Sequence, residues 1–148
     1  MLVKDVMTKG ARTVNEDTPI KEVASLMCLY RFSGLPVVRN DELIGFIAEK
    51  DVLAQLFPSV EDTMEGMATI DFKEKAQEYG SLMHKTVKEL MTPGAKTVAP
   101  DMPILKAAIV MANNRFRRIP VAQDGKLVGM LSLGDIHKAI FHQSLTGS

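Results

Sequence analysis

The chain has 148 residues, 46% of them hydrophobic and 24% charged, with 18 basic and 18 acidic side chains and a single cysteine. Those figures describe an ordinary globular chain able to bury a real core. They exclude a disulfide scaffold, and no apolar run approaches the roughly 20 residues that span a bilayer. The start, MLVKDVMTKG, lacks the long apolar stretch of a signal peptide. The expected compartment is therefore the cytoplasm, with no membrane partner, and Cys28 is read as a small buried apolar residue in a reducing environment.

The chain is written twice. Residues 3–57 align without a gap on residues 87–141 at a constant offset of 84, with identity at 21 of the 55 pairs. VKDVMTKGARTV lies over VKELMTPGAKTV, and LPVVRNDELIGFIAEKDV over IPVAQDGKLVGMLSLGDI. Turn residues, helix starts and apolar slots recur in register, as expected of one supersecondary unit built twice. Two copies are too few for a solenoid, so a closed pair in which each copy covers the other's apolar face is expected.

Within each copy the pattern predicts strand, helix, strand, strand, helix. Ile20, Val23, Ala24 and Met27 fall at i, i+3, i+4 and i+7, as do Ile104, Ala107, Ala108 and Met111, which marks one apolar helix face in each copy. Thr18 before Pro19 is expected to cap the first of these helices, and Asp101 the second. The runs Leu35 to Val38 and Leu43 to Ile47 flank the polar turn Arg39-Asn40-Asp41-Glu42, and Asp124-Gly125 at the matching turn is a hairpin signal. Val52, Leu53, Leu56 and Phe57, with Ile136, Ala139, Ile140 and Phe141 in the second copy, form the predicted inner face of the last helix.

Residues 58–86 belong to neither copy. Asp71 and Glu74 have the spacing of a capping box. Phe72, Ala76, Tyr79 and Met83 then recur at spacings of 4, 3 and 4, predicting a helix from about Asp71 to Met83 that packs over the core or, as the alternative, docks a partner. Gly80 within it costs about 1 kcal/mol relative to Ala. The expected organisation is thus 1–57, a helical insert at 58–86, 87–141, and a flexible tail at 142–148. Charge is uneven: the first copy carries 7 basic and 8 acidic side chains, the insert 3 and 6, and the second copy 8 and 4. Duplex nucleic acid would need a broader basic surface than that, but a small phosphorylated ligand needs only a few converging cations.

The terminal [VL]MT, the T-V followed by Asp and a Pro-led helix, the h-P-V strand, the polar turn and the final G-h-h-[ST]-x-x-D together resemble the CBS domain, named after cystathionine β-synthase. The last element reads Gly129-Met130-Leu131-Ser132-Leu133-Gly134-Asp135 in the second copy and Gly45-Phe46-Ile47-Ala48-Glu49-Lys50-Asp51 in the first. The resemblance covers 110 of the 148 residues. It implies a mixed α/β fold: two β-α-β-β-α CBS repeats packed as a pseudo-twofold pair, a Bateman module, with the helical insert between them. It also implies a regulatory role, carried in many relatives by adenosine-containing ligands, and pairing of two modules into a homodimer through the faces Val52, Leu53, Leu56 and Ile136, Ala139, Ile140.

A nucleotide asks for an apolar slot for the purine, a carboxylate for the ribose hydroxyls, cations for phosphate, and helix N-terminal donors. The second copy offers Val98, Ile119 and Pro120 for the slot. By resemblance Asp135 is the ribose ligand, Ser132 with Arg117 and Arg118 meets phosphate, and Thr92, Ala95, Lys96, Thr97 and Val98 supply contacts to the base. Each residue has a plainer reading: Asp135 as a first-turn acid favoured by the helix dipole, Ser132 as an N-cap, the arginines as solvated cations. The first copy departs from the pattern. Ala48 replaces the hydroxyl, Glu49 adds a negative charge, and Ser33-Gly34 stand where the arginines stand in the second. Val14, Leu35, Pro36, Asp51 and Lys50 leave a weaker second site that is empty or takes an uncharged adenosine-like group.

An enzyme is not expected. The three histidines have no metal-site spacing, no cysteine joins them, and no nucleophile motif, P-loop or G-x-G-x-x-G occurs. No metal and no catalytic cofactor are expected; an AMP-like adenine nucleotide is the expected regulatory ligand. The reading is a stand-alone regulatory module that binds AMP, ADP, ATP or an S-adenosylmethionine-type ligand mainly in the second repeat and signals to a partner enzyme or transporter by a packing change. The alternative is a ligand-free dimerisation and docking scaffold.

Overall fold

The structure is a computed structural model describing residues 1–56 and 70–147. In chain order its elements are α1 Val3–Val6, α2 Ile20–Tyr30, β1 Gly34–Arg39, β2 Glu42–Ala48, α3 Glu49–Leu53, α4 Phe72–Ser81, α5 Val87–Leu90, β3 Thr92–Pro93, α6 Ile104–Asn113, β4 Arg118–Gln123, β5 Lys126–Ser132 and α7 Leu133–Thr146. The fold class is mixed α/β, with antiparallel strand pairs and helices, as expected.

The apolar stripes behave as read. On α2 the buried residues are Ile20, Val23 and Met27, and on α6 they are Ile104, Ala107 and Met111. Both hairpins turn through two residues of positive φ, Asn40 (50°) with Asp41 (69°), and Asp124 (53°) with Gly125 (78°). That is the backbone twist a two-residue connection between right-twisted strands requires. The first strand of each copy shrinks to one parallel bridge, Val14 beside Val37 and Val98 beside Val121.

The chain divides into two compact units, and neither is a contiguous repeat. One holds Met1–Arg12, Val38–Ile44 and Gly94–Ser148; the other holds Thr13–Val37 and Gly45–Pro93. The [VL]MT segments have changed places. In the second-copy unit Val3 N–H donates to Met102 O (2.8 Å) and Lys4 N–H to Pro100 O (2.8 Å), and Val3 joins a core with Val98, Ile104, Met111, Ile119 and Leu131. In the first-copy unit Val87 N–H donates to Thr18 O (2.9 Å) and Lys88 N–H to Glu16 O (2.9 Å).

The exchange also satisfies the helix starts. Ile20 N–H donates to Lys85 O (2.8 Å) and Ile104 N–H to Met1 O (3.1 Å), so a first-turn donor that a cap side chain or water would otherwise meet is met by exchanged backbone. This displaces the expected caps: the N-cap positions are Pro19 and Pro103, neither with a side-chain bond. Thr18 is instead buried, its hydroxyl accepting from Asn15 N–H at 3.1 Å.

That Gly45 and Gly129 recur in both copies has the same origin. A Cβ on Gly129 would lie 2.8 Å from Met7 Sδ and 2.9 Å from Thr8 O, and one on Gly45 would lie 2.7 Å from Thr92 O. Thr8 pairs with Met130 through bonds of 2.8 and 2.9 Å, and β3 pairs with β2 at Gly45 with Pro93 and Phe46 with Thr92. Only a residue without a side chain lets the exchanged strand lie this close.

Several expectations are corrected. Cys28 is exposed, because it follows Met27 around α2 and so turns off the buried stripe. The inner face of the last helix is narrower than read: Val52, Ile136 and Ala139 are buried, whereas Leu56 and Phe141 are exposed. Phe57 lies outside the described residues, as does 58–69 of the insert. Helix α7 runs through 142–146 instead of ending in a flexible tail, and closes on Gly147 at φ 71°. Helix α4 begins at the expected cap, where Asp71 Oδ1 accepts from Glu74 N–H at 3.1 Å, but it buries none of its residues, and Phe72 is exposed.

Candidate functional site

Strand β5 ends where α7 begins, and that junction carries the second copy's polar groups. Ser132 is the N-cap: its Oγ accepts from Asp135 N–H at 3.0 Å, and Asp135 Oδ2 accepts from Ser132 N–H at 3.3 Å. This is a reciprocal capping box, so the plain reading of both residues is true of them. Leu133 N–H donates to Arg117 O at 3.0 Å. Two of the first three amides of α7 are therefore taken, and Gly134 N–H carries none of these bonds.

The β4–β5 register decides which arginine joins the cap. Arg118 stands directly opposite Ser132, Ile119 opposite Leu131 and Pro120 opposite Met130. Side chains alternate along a strand, and Ile119 and Leu131 are wholly buried in the core. Arg118, Pro120, Met130 and Ser132 therefore share the other face. Cross-strand partners hold their Cβ atoms about 4.5–5.5 Å apart, which sets Arg118 beside Ser132 on one face of the sheet, with Asp135 joined to Ser132 through the capping box. Arg118 is half-buried; Arg117 is exposed and precedes the strand, tied to the site by its carbonyl.

The remaining predicted residues separate into three groups. Pro120 is buried on the Arg118 face, whereas Val98 and Ile119 are core residues, so their side chains do not line a slot there. Val98 still borders it through backbone, donating to Pro120 O at 3.1 Å and accepting from Ala122 N–H at 3.0 Å. Ala95, Lys96 and Thr97 lead into Val98, with Lys96 and Thr97 exposed. Thr92 belongs to the first-copy unit, paired with Phe46. Its repeat partner Thr8 is the threonine that lies along β5 beside Met130. Reading each copy as a closed unit hides Thr8; the offset of 84 that relates Thr8 to Thr92 is the signal that finds it.

In the first copy the junction is built alike but carries different groups. Ala48 N–H donates to Asp51 Oδ2 at 2.8 Å, and Glu49 N–H to Ser33 O at 2.8 Å. Ala48 has no acceptor, so only half of the capping box exists. Val14 and Leu35 are core residues, Pro36 is buried, and Lys50 is exposed. Among the described residues no three His, Cys, Asp or Glu side chains gather as metal ligands.

The model of the CBS domain matches residues 3–57 and 87–142. The chain is 31% identical to the uncharacterized protein MJ1426 of Methanocaldococcus jannaschii, over 95% of this chain and 91% of that one. Its fold is similar to that of CBSX2 from Arabidopsis thaliana solved in complex with AMP, with a TM-score of 0.74, 28% identity, and coverage of 97% of this chain and 98% of that chain. It is also similar to the CBS domain pair of protein MJ0100 in complex with 5′-methylthioadenosine and S-adenosyl-L-methionine, with a TM-score of 0.70, 26% identity, and coverage of 97% and 98%. With both repeats matched and the exchanged segments included in the matches, the chain belongs to the CBS-domain family, as a tandem pair of CBS domains.

Proposed function

We propose that the chain is a regulatory module that binds an adenosine-containing ligand of the AMP, ADP, ATP or S-adenosylmethionine type, mainly in the second CBS repeat. Asp135 takes the ribose hydroxyls, Ser132 and Arg118 meet the phosphate with Arg117 at its outer edge, and Pro120 with the backbone from Ala95 to Val98 borders the base. The observation that carries the reading is the placement of Arg118 opposite Ser132, itself bonded to Asp135: a cation, a hydroxyl and a carboxylate in one place. The related pairs solved with AMP and with S-adenosylmethionine support the ligand class.

Binding signals to a partner enzyme or transporter by favouring one packing of the chain, and the shift is bounded by the ligand's differential affinity for the two states. The module acts as a homodimer in the cytoplasm. Of the expected pairing face, Val52, Ile136 and Ala139 are buried within the chain, Leu53 and Ile140 are half-buried and Leu56 is exposed; the outer face of α6 and α7 offers more, with Leu105, Ile109, Phe141 and Leu145 exposed. No helix among the described residues is long and apolar enough to cross a membrane.

Thermal melts with and without AMP, ADP, ATP and S-adenosylmethionine test the reading, since a ligand at 100 times its dissociation constant adds about 2.7 kcal/mol. A ligand-free scaffold is the second reading. It is favoured by the capping box, which already uses Ser132 Oγ and one oxygen of Asp135. Melts unmoved by every nucleotide would select it.

A further inference from the structure

The two outer helices of the second copy carry the same apolar ridge. Leu105 and Ile109 on α6, and Phe141 and Leu145 on α7, stand four residues apart and are 55–67% exposed. The two helices pack against each other. Residues at i and i+4 form a ridge along a helix, and such a ridge interlocks with one of the same spacing on a facing helix. Two packed helices with an apolar ridge on each are half of a four-helix bundle, and an identical pair completes it. Helix α2 of the first copy does not offer a matching ridge. The offset of 84 sets Lys21 and Ser25 at the positions of Leu105 and Ile109, and both are exposed.

Charge pulls the other way. The unit that holds α6 and α7 carries 11 basic and 6 acidic side chains, and the other carries 7 and 12. Charge complementarity alone would set the second copy of one chain against the first copy of the next, whereas apolar burial sets like against like. Exposed charges are screened beyond about 8 Å at physiological salt, and ion pairs at the rim of a contact add little. A head-to-tail pair would leave Leu105 and Ile109 against Lys21 and Ser25, forfeiting the burial of the ridge. We infer that two chains pair isologously, α6 and α7 of one on α6 and α7 of the other, second repeat to second repeat. Such a contact is self-complementary and closes at two chains. This rests on the reading of the chain as a homodimer and gives that pair its orientation.

Ala112 continues the α6 ridge three residues beyond Ile109 and is exposed; its repeat equivalent is Cys28, exposed as well. The full chain carrying Cys28→Ser with Ala112→Cys therefore has its single thiol on the ridge, and the unaltered chain has it at the same place in the first copy. Both are treated with a flexible bismaleimide at a concentration where sedimentation shows a dimer. The double variant is expected to link to itself, and its mixture with the unaltered chain, after subunit exchange, to give no peptide joining Cys28 to position 112. Raising the ionic strength from about 0.01 M to about 0.15 M shortens the Debye length from about 30 Å to about 8 Å, and should tighten the pair by at least about twofold because units of like charge meet. A link between Cys28 and position 112, a dimeric double variant that does not link to itself, or a pair that salt loosens overturns the inference and leaves the homodimer standing. A monomer under every condition overturns both.

Discussion

Replacing Gly129 with Ala tests the exchange of the [VL]MT segments directly. The new Cβ would lie 2.8 Å from Met7 Sδ and 2.9 Å from Thr8 O. The Met7 side chain can swing away, but Thr8 O cannot move alone, because it accepts from Met130 N–H at 2.9 Å while Thr8 N–H donates to Met130 O at 2.8 Å. Relieving the clash loosens both bonds, each contributing about 0.5–1.5 kcal/mol net, in line with about 1–3 kcal/mol for overpacking in general. The alanine returns about 0.4–1 kcal/mol by restricting the unfolded chain. A net loss of about 1.3 kcal/mol is expected. In urea, at a slope of about 2 kcal/mol/M, the midpoint should fall by about 0.6 M. Gly134→Ala is the control: its Cβ would meet only Ser132 Oγ, at 3.7 Å, so its midpoint should hold or rise. An unchanged or raised midpoint for Gly129→Ala would refute the close approach of Thr8 to β5.

Other expectations concern the ligand and the assembly. Calorimetric titration with AMP should give one site per chain, abolished by Asp135→Ala and nearly intact in Asp51→Ala; both variants lose the same kind of capping bond, so similar melting temperatures would separate the binding loss from instability. Arg118→Ala should weaken AMP by roughly one to two decades and leave adenosine almost unchanged, since a hydrogen bond to a charged group is worth about 1.5–3 kcal/mol. Arg117→Ala should cost less, because its contribution to the junction is a backbone carbonyl. Sedimentation should show a dimer that Leu105→Glu with Ile109→Glu reduces to the 16.3 kDa monomer; a double variant that still sediments as a dimer would remove α6 from the interface.

What the sequence made legible was local. The stripes Ile20 to Met27 and Ile104 to Met111 name their own buried residues because helix periodicity and burial are one fact seen twice. Asp124-Gly125 names its turn because few residues tolerate two consecutive positive φ values. The junction of β5 and α7 was legible too, since Ser132 and Asp135 at a spacing of three are a capping pair whatever else they do. Illegible was anything that depends on which segment lies beside which. The expected caps Thr18 and Asp101 are displaced because backbone leading into the exchanged segments, Lys85 O and Met1 O, meets the helix starts. Val98 and Ile119 fall in the expected slot because an alternating strand does not say which of its faces is the core. The choice between Arg117 and Arg118 needed the pairing with Ser132, a register that a sequence does not print.

The exchange gives the repeat motif a physical cause. A [VL]MT strand and the glycine it covers lie in different copies, Met7 and Thr8 over Gly129, Met91 and Thr92 over Gly45. Each contact therefore ties one repeat's segment to the other repeat's strand, although the sequence presents each repeat as if it were self-contained. The coupling reaches the candidate site: Thr8 is bonded to Met130, two residues before Ser132, so the strand that positions the N-cap of α7 is itself held by the first eight residues of the chain. Deleting residues 1–8 should consequently act on the second copy more than on the first. It removes Val3 from the core around Ile104 and Leu131 and leaves the Met130 pair unmet, while Val14, Leu35 and Asp51 keep every partner described for them. An N-terminal deletion that lowers AMP affinity while leaving the amide exchange of α2 unchanged is the outcome this connectivity requires. Equal loss of protection in α2 and α6 would refute it.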